Sequence, residues 1–445
     1  MYEMVVDSSG FFYLAGDTWS YGNGSSDIFI VKMNENFSQY NTWGGVESEE
    51  FSGMVIDKND NIYVAGRTLS YGAGDKDVVL LKYNKSLILE WSCTWGDNGS
   101  DSCSGIEIDS LNNVYIAGMT NSPYYDIFLA KYNSTGSLQW NHTWSTKTQN
   151  ITEEVLSLVI DSSDHIFLGV NTNYTGSEWV LLKYNSSGTL LLNNSLNMYL
   201  PLQLLTLDSS DNLYAAGSFN DMSLAKFDNN GNLDWNLTCI KNIVPGTEVL
   251  EIDPFDDIVV TGNELINASA ILYGYNITDY DTYLMKFNSS GSLKWNHTMR
   301  GGNNIYPEFL AFDSLGYIFL VGSFEYIATK DLSLSIDVFN INGIPRRGLG
   351  GGDIEYCKGI FVESLDSFIT AGNGHEYIYP TGYRTDYDII LINWIESEDM
   401  CPYGPQYWWW GYYQTLSIIF NSIFYTFCII GIIYLIKRRK NRLKQ

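Results

Sequence analysis

Carboxylates recur along this 445-residue chain at a regular interval, and such groups could bind calcium or act as a general acid and base. The turns that follow them, such as DKNDN at 57–61, lack the ligand order of an EF-hand. A ring of many acids also defines no single glycosidase pair. We therefore interpret the aspartates as caps of tight turns. The recurring positions are Asp7, Asp57, Asp109, Asp161, Asp208, Asp253, Asp313 and Glu363.

Histidine and tryptophan side chains could also do chemistry. His142 and His297 share one repeat position, and His165 takes a turn position that is Asn elsewhere, so we expect structural roles for all three. His375 alone departs from the repeat, and no Ser-His-Asp triad follows from the spacing. One tryptophan per repeat at a fixed position favours packing over sugar stacking; the set is Trp91, Trp140, Trp235 and Trp295. The sequence predicts no catalytic residue, metal site or cofactor.

Two of the six cysteines are close in sequence. Cys93 and Cys103 flank one connection between predicted strands, and could form a disulfide in an oxidising compartment or remain separate thiols. No CxxC motif occurs, so a zinc or redox site is not supported.

Three patterns follow one another in fixed order and define eight repeats. The recurring acid comes first, at intervals of 45–60 residues, and a glycine follows it nine residues later in every copy but the one at Asp161. An apolar run ending in lysine and an aromatic residue comes next, as in DVVLLKY (77–83) and DIFLAKY (126–132). The third pattern is G-x-L-x-W-N-x-T, as in GSLQWNHT (136–143).

Each repeat predicts four short strands, a to d, with tight turns between a and b and between c and d. Strand c is apolar at successive rather than alternate positions, which indicates burial on both faces of its sheet. Four-stranded units buried on both faces are typical of propeller blades stacked around an axis. A solenoid is the alternative arrangement.

The repeat resembles the SBBP family of β-propeller repeats, most clearly at 57–66, 77–83 and 136–140. The resemblance covers about residues 1–394 and implies a propeller fold but no reaction. The predicted fold is thus all-β: a β-propeller of eight, or seven, four-stranded blades, plus one C-terminal transmembrane helix.

The two sides of such a propeller should differ. The a–b and c–d turns form one side, here called the turn face, and are short and nearly constant. The b–c and d–a connections form the other, the loop face, and vary in length. Long b–c loops are predicted at 263–280 and 373–387, and variable loops on a rigid scaffold commonly bind ligands. The alternative is tolerated insertions without a partner. Candidate ligand-face residues are Tyr273, Tyr275, His375, Tyr377, Tyr379 and Tyr383.

N-glycosylation sequons are frequent before residue 300 and lie mainly in predicted turns or outer strands. On an exported domain we expect several to be modified. The candidates are Asn23, Asn98, Asn133, Asn141, Asn173, Asn185, Asn236, Asn267, Asn276, Asn288 and Asn296.

The C-terminal region predicts a membrane anchor. We divide the chain into a propeller ectodomain (1–395), an aromatic juxtamembrane segment (396–411), a transmembrane helix (412–436) and a basic tail (437–445). The basic tail predicts a cytoplasmic C-terminus and a propeller outside the cell membrane. An external N-terminus needs an export signal, and the eighth repeat lacks strand d, so we expect a signal peptide and one strand upstream of Met1.

Charge excludes one class of partner. The segment before residue 408 carries 19 basic and 51 acidic residues, and such a surface repels nucleic-acid phosphates. We predict a cell-surface binding or adhesion module with the membrane and an unknown protein or glycan as partners. The alternatives are an extracytoplasmic enzyme acting on glycans, as hydrolase or lyase, and a structural component of the cell envelope.

Overall fold

The computed structural model describes most of the chain up to residue 395 and one later strand. The described ranges are 2–19, 22–34, 37–121, 125–146, 152–172, 179–196, 203–218, 221–240, 243–244, 248–272, 275–299, 303–326, 332–350, 356–364, 367–374, 388–395 and 413–418.

Within these ranges, thirty-two strands form eight four-stranded antiparallel sheets, each with its strands in chain order. Blades one to four contain β1 (Tyr2–Val6), β2 (Phe12–Thr18), β3 (Asp27–Asn34), β4 (Phe37–Trp43); β5 (Glu49–Ile56), β6 (Ile62–Thr68), β7 (Asp77–Tyr83), β8 (Leu89–Trp95); β9 (Ser102–Ile108), β10 (Val114–Asn121), β11 (Tyr125–Tyr132), β12 (Leu138–Trp144); β13 (Glu154–Ile160), β14 (Ile166–Asn171), β15 (Trp179–Tyr184) and β16 (Leu190–Leu196).

Blades five to eight follow the same order. They contain β17 (Leu204–Leu207), β18 (Leu213–Ser218), β19 (Met222–Phe227), β20 (Leu233–Ile240); β21 (Val249–Ile252), β22 (Ile258–Leu272), β23 (Tyr275–Phe287), β24 (Leu293–Met299); β25 (Asn303–Phe312), β26 (Ile318–Tyr326), β27 (Leu332–Phe339), β28 (Pro345–Gly350); β29 (Tyr356–Ser364), β30 (Ser367–Gly374), β31 (Asp388–Ile395) and β32 (Tyr413–Ile418).

The blades close into a ring. The first strand of each blade contacts the first strand of the next, and β29 contacts both β25 and β1. The first strands therefore line the centre and the fourth strands lie at the rim. This closure confirms the predicted propeller with eight blades and excludes the solenoid.

The core lies between blades and explains the continuous apolar runs of strand c. All seven residues of β7 are buried. Val79 and Leu81 pack against the first blade, whereas Val78 and Leu80 pack against the third, where they join Phe128. Successive residues thus alternate between two interfaces, and both must be apolar.

Asp109 shows why the recurring acid is needed. Its carboxylate accepts hydrogen bonds from the backbone N–H groups of Leu111 (3.0 Å) and Asn113 (2.8 Å) and from the Tyr115 hydroxyl (3.1 Å). Lys131 Nζ from strand c lies 3.2 Å from the same carboxylate. Burial opposes ionisation, but the bonds from Asn113 and the charge of Lys131 outweigh it and hold the pKa of Asp109 below its usual value. The predicted turn cap is confirmed.

Adjacent a–b turns are also tied to each other. The backbone N–H and hydroxyl of Ser8 donate to the two carboxylate oxygens of Asp60 in the next blade, at 2.9 and 2.8 Å. Asp60 has φ of 63°, a left-handed conformation that Asp and Asn tolerate. The same link recurs for Ser110 with Asp164, Ser162 with Asp211 and Ser209 with Asp256.

A second link, the Lys–Trp clasp, joins strands c and d of one blade to the c–d turn of the next. Lys131 Nζ and Trp140 Nε1 donate to the same carbonyl oxygen, that of Ser186, at 3.0 and 3.3 Å. Gly188 of that turn lies against the Trp140 ring. The predicted packing role of the tryptophans is confirmed, since Trp91, Trp235 and Trp295 donate to the next blade in the same way.

The eighth blade differs from the sequence prediction. Its fourth strand, β32, pairs with β31 from Trp394 opposite Tyr413 to Ile389 opposite Ile418. The missing strand thus comes from downstream, and the start of the predicted helix 412–436 is a strand, because the free edge of β31 needs hydrogen-bond partners. Residues 396–411, 419–436 and 437–445 lie outside the described residues. Within the described part, the structure has no helix of the length and apolarity needed to span a bilayer.

The candidate disulfide is not formed. Cys93 and Cys103 are both free thiols. Cys93 lies on rim strand β8 and Cys103 on central strand β9, so the width of a blade, roughly 14 Å for three strand spacings, separates their strands and exceeds the reach of a disulfide. Burial raises the pKa of both thiols, to about 11 and about 12, which makes them unreactive.

Alanine substitution at two glycines tests the Lys–Trp clasp. Gly188 and Gly10 both have positive φ, at 84° and 78°. A Cβ on Gly188 would lie 2.6 Å from His142 Nε2 and 2.9 Å from the Trp140 ring, whereas Gly10 has open space. We expect Gly10→Ala to lower the free energy of unfolding by about 1 kcal/mol, and Gly188→Ala to lower it by roughly 2 kcal/mol more. Urea denaturation of both variants measures this, and equal losses would refute the clasp.

Candidate ligand-binding face

The loop face is dominated by the sixth blade. The b–c connection of blade five is short, since β18 ends at Ser218 and β19 begins at Met222. The prediction of a loop at 263–280 in blade six is wrong. Strands β22 and β23 continue through this segment as a hydrogen-bonded pair that ends with Leu272 opposite Tyr275. The segment is rich in β-branched and aromatic residues, such as Ile271, Tyr275 and Ile277, which suits a two-stranded extension better than a loop.

The base of this hairpin is held on both sides. The backbone N–H of Val244 donates to the Asn263 carbonyl at 2.7 Å, and Asn263 Nδ2 donates to the carbonyl of Ile305 in blade seven, also at 2.7 Å. The ring of Tyr280 packs edge-on against Tyr306, with centroids 6.1 Å apart. The hairpin is therefore anchored to its neighbours where it leaves the blade, while its far end extends beyond the length of the other strands.

Of the six candidate ligand-face residues, one lies among the described residues. Tyr275 is the first residue of β23, at the end of the hairpin. Tyr273, His375, Tyr377, Tyr379 and Tyr383 lie outside the described residues, as does most of the predicted loop 373–387.

The sequons fall into three groups. Asn23 and Asn98 are exposed on the loop face, and Asn141, Asn236 and Asn296 are exposed on rim strands. Three half-buried side chains accept backbone hydrogen bonds inside c–d turns; they are Asn133, Asn185 and Asn288. Asn267 and Asn276 lie in the backbone of the hairpin, and Asn173 is outside the described residues.

Three histidines have the structural contacts that the repeat predicts. His165 Nδ1 lies 2.9 Å from the Asp161 carboxylate inside its turn. His142 stacks between Trp140 and Tyr184, and His297 packs edge-on against Phe339. The fourth, His375, is outside the described residues.

Two central carboxylates were not singled out from the sequence. Glu3 on β1 and Glu107 on β9 lie on the innermost strands, close enough for their charges to interact. Burial, reinforced by the charge of Glu3, raises the pKa of Glu107 to about 7. Burial also raises the pKa of Glu3, whose Oε2 accepts the Met54 backbone N–H at 2.6 Å. The one available signal is an acid in an otherwise apolar strand, SGIEID.

These carboxylates define what chemistry the centre could support. A glutamic acid that stays protonated near neutral pH can act as a general acid. A hydrolase also needs a second carboxylate free to act, whereas Glu3 is held by a backbone hydrogen bond. Glu251 holds the equivalent position on β21, and desolvation raises its pKa to about 7 as well. The described centre therefore offers two candidate acids, Glu107 and Glu251.

Comparison with known proteins agrees with the fold. Residues 92–125 match the family described as Beta-propeller repeat, SBBP. This match confirms the resemblance of the repeat and defines the chain as a β-propeller protein that carries an SBBP repeat. No match to the chain was found among curated proteins.

Solved propellers superpose on most of the chain at low identity. The Dos1 propeller matches with a TM-score of 0.53 and 11% identity, over 83% of this chain and 90% of that one. The periplasmic gluconolactonase PpgL of Pseudomonas aeruginosa gives 0.47 and 11%, over 76% and 94%. An ulvan lyase of family PL25 gives 0.42 and 15%, over 76% and 78%. At such identities the likeness shows the fold alone.

Glu107→Gln should change stability in a pH-dependent way. Because folding raises the pKa of Glu107 from its usual 4.5, the folded state disfavours the charged form, and this penalty develops between pH 4.5 and about pH 7. We expect Glu107→Gln to stabilise the chain by on the order of 1–2 kcal/mol at pH 8, after allowance for screening in the half-open centre, and by almost nothing at pH 4.5.

Denaturant titrations at the two pH values measure the effect. Glu154→Gln, an exposed position on central strand β13, is the matched control and should show no pH-dependent gain. An equal gain for Glu107→Gln at both pH values would contradict the raised pKa.

Proposed function

We propose that the chain is a membrane-anchored β-propeller that binds a protein or glycan ligand at its loop face, outside the cell. The observation that carries this proposal is the hairpin of β22 and β23, which is anchored at its base by Asn263 and Tyr280 and projects beyond its blade. A rigid element projecting from a scaffold presents a surface with little loss of conformational entropy on binding.

The opposite face supports this assignment by contrast. On the turn face, Asp109, Ser110 and their equivalents are committed to turn caps and links between blades. Because these groups are committed to contacts within the propeller, the loop face is the better location for a ligand.

The membrane anchor and the external location rest on the sequence. The apolar residues that follow β32 and the basic tail at 437–445 support a single span with the C-terminus inside. The exposed sequons Asn141, Asn236 and Asn296 support exposure of the rim to an oxidising, glycosylating compartment.

A second candidate function is an enzyme that acts on glycans. It is favoured by Glu107 and by Glu251 on β21, whose raised pKa values suit a general acid. Incubation of the chain with glycan polymers tests it: depolymerisation that Glu107→Gln abolishes would support the enzyme.

Removal of the hairpin end tests the binding function. The full chain is screened against glycan and cell-surface protein arrays, together with a variant in which residues 266–279 are replaced by Asn-Gly, a sequence suited to a tight hairpin turn. We expect the replacement to weaken binding at least tenfold, because it removes the projecting surface. Leu111→Ser, an exposed turn-face position, is the control and should bind normally. If binding survives the replacement of residues 266–279 but is lost in Leu111→Ser, the ligand binds the turn face and the proposal is wrong.

A further inference from the structure

Two carboxylates meet at the junction between blades one and two on the loop face. Asp27 begins β3 and Glu49 begins β5 of the next blade; both are buried, at 2% and 0% exposure. A Cβ placed on Gly44 would lie 1.5 Å from Asp27 Oδ1 and 2.5 Å from Glu49 Oε2. The two oxygens are therefore within about 4 Å of each other, a separation at which both can contact one cation.

The next junction repeats this arrangement. Asp77 begins β7, Asp101 immediately precedes β9, and they are 2% and 0% exposed. A Cβ on Gly96 would lie 2.3 Å from Asp77 Oδ1 and 2.4 Å from Asp101 Oδ2.

Equivalent backbone bonds fix both junctions. The N–H of Glu49 donates to the Ser26 carbonyl at 2.7 Å, and the N–H of Asp101 donates to the Lys76 carbonyl at 2.8 Å. Each pair of acids is thus built into the connection between blades, and does not arise from two mobile side chains.

Buried carboxylate oxygens at these junctions have no hydrogen-bond partner. Asp27 Oδ1 is one and Asp101 Oδ1 is another. The remaining Asp101 contacts are the Asp97 N–H, 3.1 Å from Oδ2, and the Thr120 hydroxyl. A buried, ionised oxygen without a partner costs free energy unless a positive charge or a proton compensates it.

Buried acids on the turn face are treated differently. Asp7, Asp109 and Asp253 each lie within 3.2 Å of a lysine ammonium from strand c. None of the ion pairs found among the described residues involves the four junction acids. The protein therefore neutralises one set of acids with lysine and leaves the other set without a cation of its own.

The third junction provides an internal comparison. Asp126 and Glu153 occupy the equivalent positions, but Ser145 stands where the first two junctions have Gly44 and Gly96. Its hydroxyl donates to Asp126, so the aspartate of this junction has a hydrogen bond that a glycine cannot give. Glu153 Oε2 at the same junction is buried without a partner, so the difference lies in the aspartate alone.

We propose that the Asp27–Glu49 and Asp77–Asp101 junctions each bind a divalent cation, calcium first among them. Two carboxylates are hard oxygen ligands of the kind that calcium prefers. Within the described part of the chain, no group of three or more His, Cys, Asp or Glu side chains is placed to hold a metal, so backbone carbonyls and water complete each site. Such sparse sites correspond to the weak affinities of extracellular calcium modules, with dissociation constants of about 10⁻⁴–10⁻³ M.

Calcium titration of the chelator-treated full chain tests the proposal. We expect about 5 mM CaCl₂ to raise the Tm by roughly 2–5 °C, and the double variant Asp27→Asn, Asp101→Asn to lose this shift. Asp126→Asn is the matched control and should keep it. Gly44→Ser copies the third junction and should reduce the shift by about half, since it leaves the second site intact.

Terbium luminescence provides a readout that does not depend on stability. Trp43 and Trp95 immediately precede Gly44 and Gly96, so indole excitation should sensitise Tb³⁺ bound at either junction. We expect a signal that calcium displaces and that the double variant loses. Absence of both the Tm shift and the Tb³⁺ signal would overturn the proposal. If the double variant were then more stable than the parent only at neutral pH, each pair of acids would share a proton instead. An unchanged calcium response in the double variant would also overturn it.

Discussion

The buried Asp–Lys pair is the interaction on which the regular part of the structure depends. Lys131 carries a charge into an apolar interface, where Asp109, the Ser186 carbonyl and the face of the Tyr115 ring, 4.9 Å away, compensate it. The same carboxylate holds its a–b turn, and Ser186 belongs to the following blade. One ion pair thus holds an a–b turn, a strand c and the neighbouring blade in place. Loss of either charge would leave the other buried and unpaired.

This arrangement also explains why the two faces differ. Because the Asp–Lys ion pairs, the Ser–Asp links and the Lys–Trp clasps all lie at the ends of strands on the turn face, an insertion there would break contacts between blades. Insertions on the loop face leave those contacts intact, which is why the long extension of β22 and β23 is compatible with ring closure. In blade seven, Val338 takes the lysine position, opposite Arg347, and the acid Asp313 keeps only its turn hydrogen bonds.

The sequence predicts those features of the fold that depend on contacts within one repeat. The acid, the lysine and the tryptophan recur in one order, so the four strands, their turns and the ring follow from a single unit. The hairpin was mistaken for a loop because its pairing is supported by Val244 and Ile305, which belong to segments distant in sequence. The sequence predicts a helix where β32 forms, because an apolar segment suits a bilayer and an open sheet edge equally well. Asp27 and Glu49 gave no signal because they belong to different blades and meet only after folding.

Strand β7 has a buried lysine that is paired with an acid at one end and a buried aspartate without a lysine partner at the other. Near the turn face, Lys82 Nζ lies 2.9 Å from Glu90 and donates to the Ser134 carbonyl at 3.1 Å. At the loop face, Asp77 lies close to Asp101, its Oδ2 accepts two backbone N–H groups, and it takes part in no ion pair found in the described part of the chain. Packing energy alone would favour apolar residues at such a junction, because two desolvated like charges oppose the association of the blades. The acids at consecutive junctions therefore make the loop face respond to its surroundings, through a bound cation, in a way that the lysine-neutralised turn face does not.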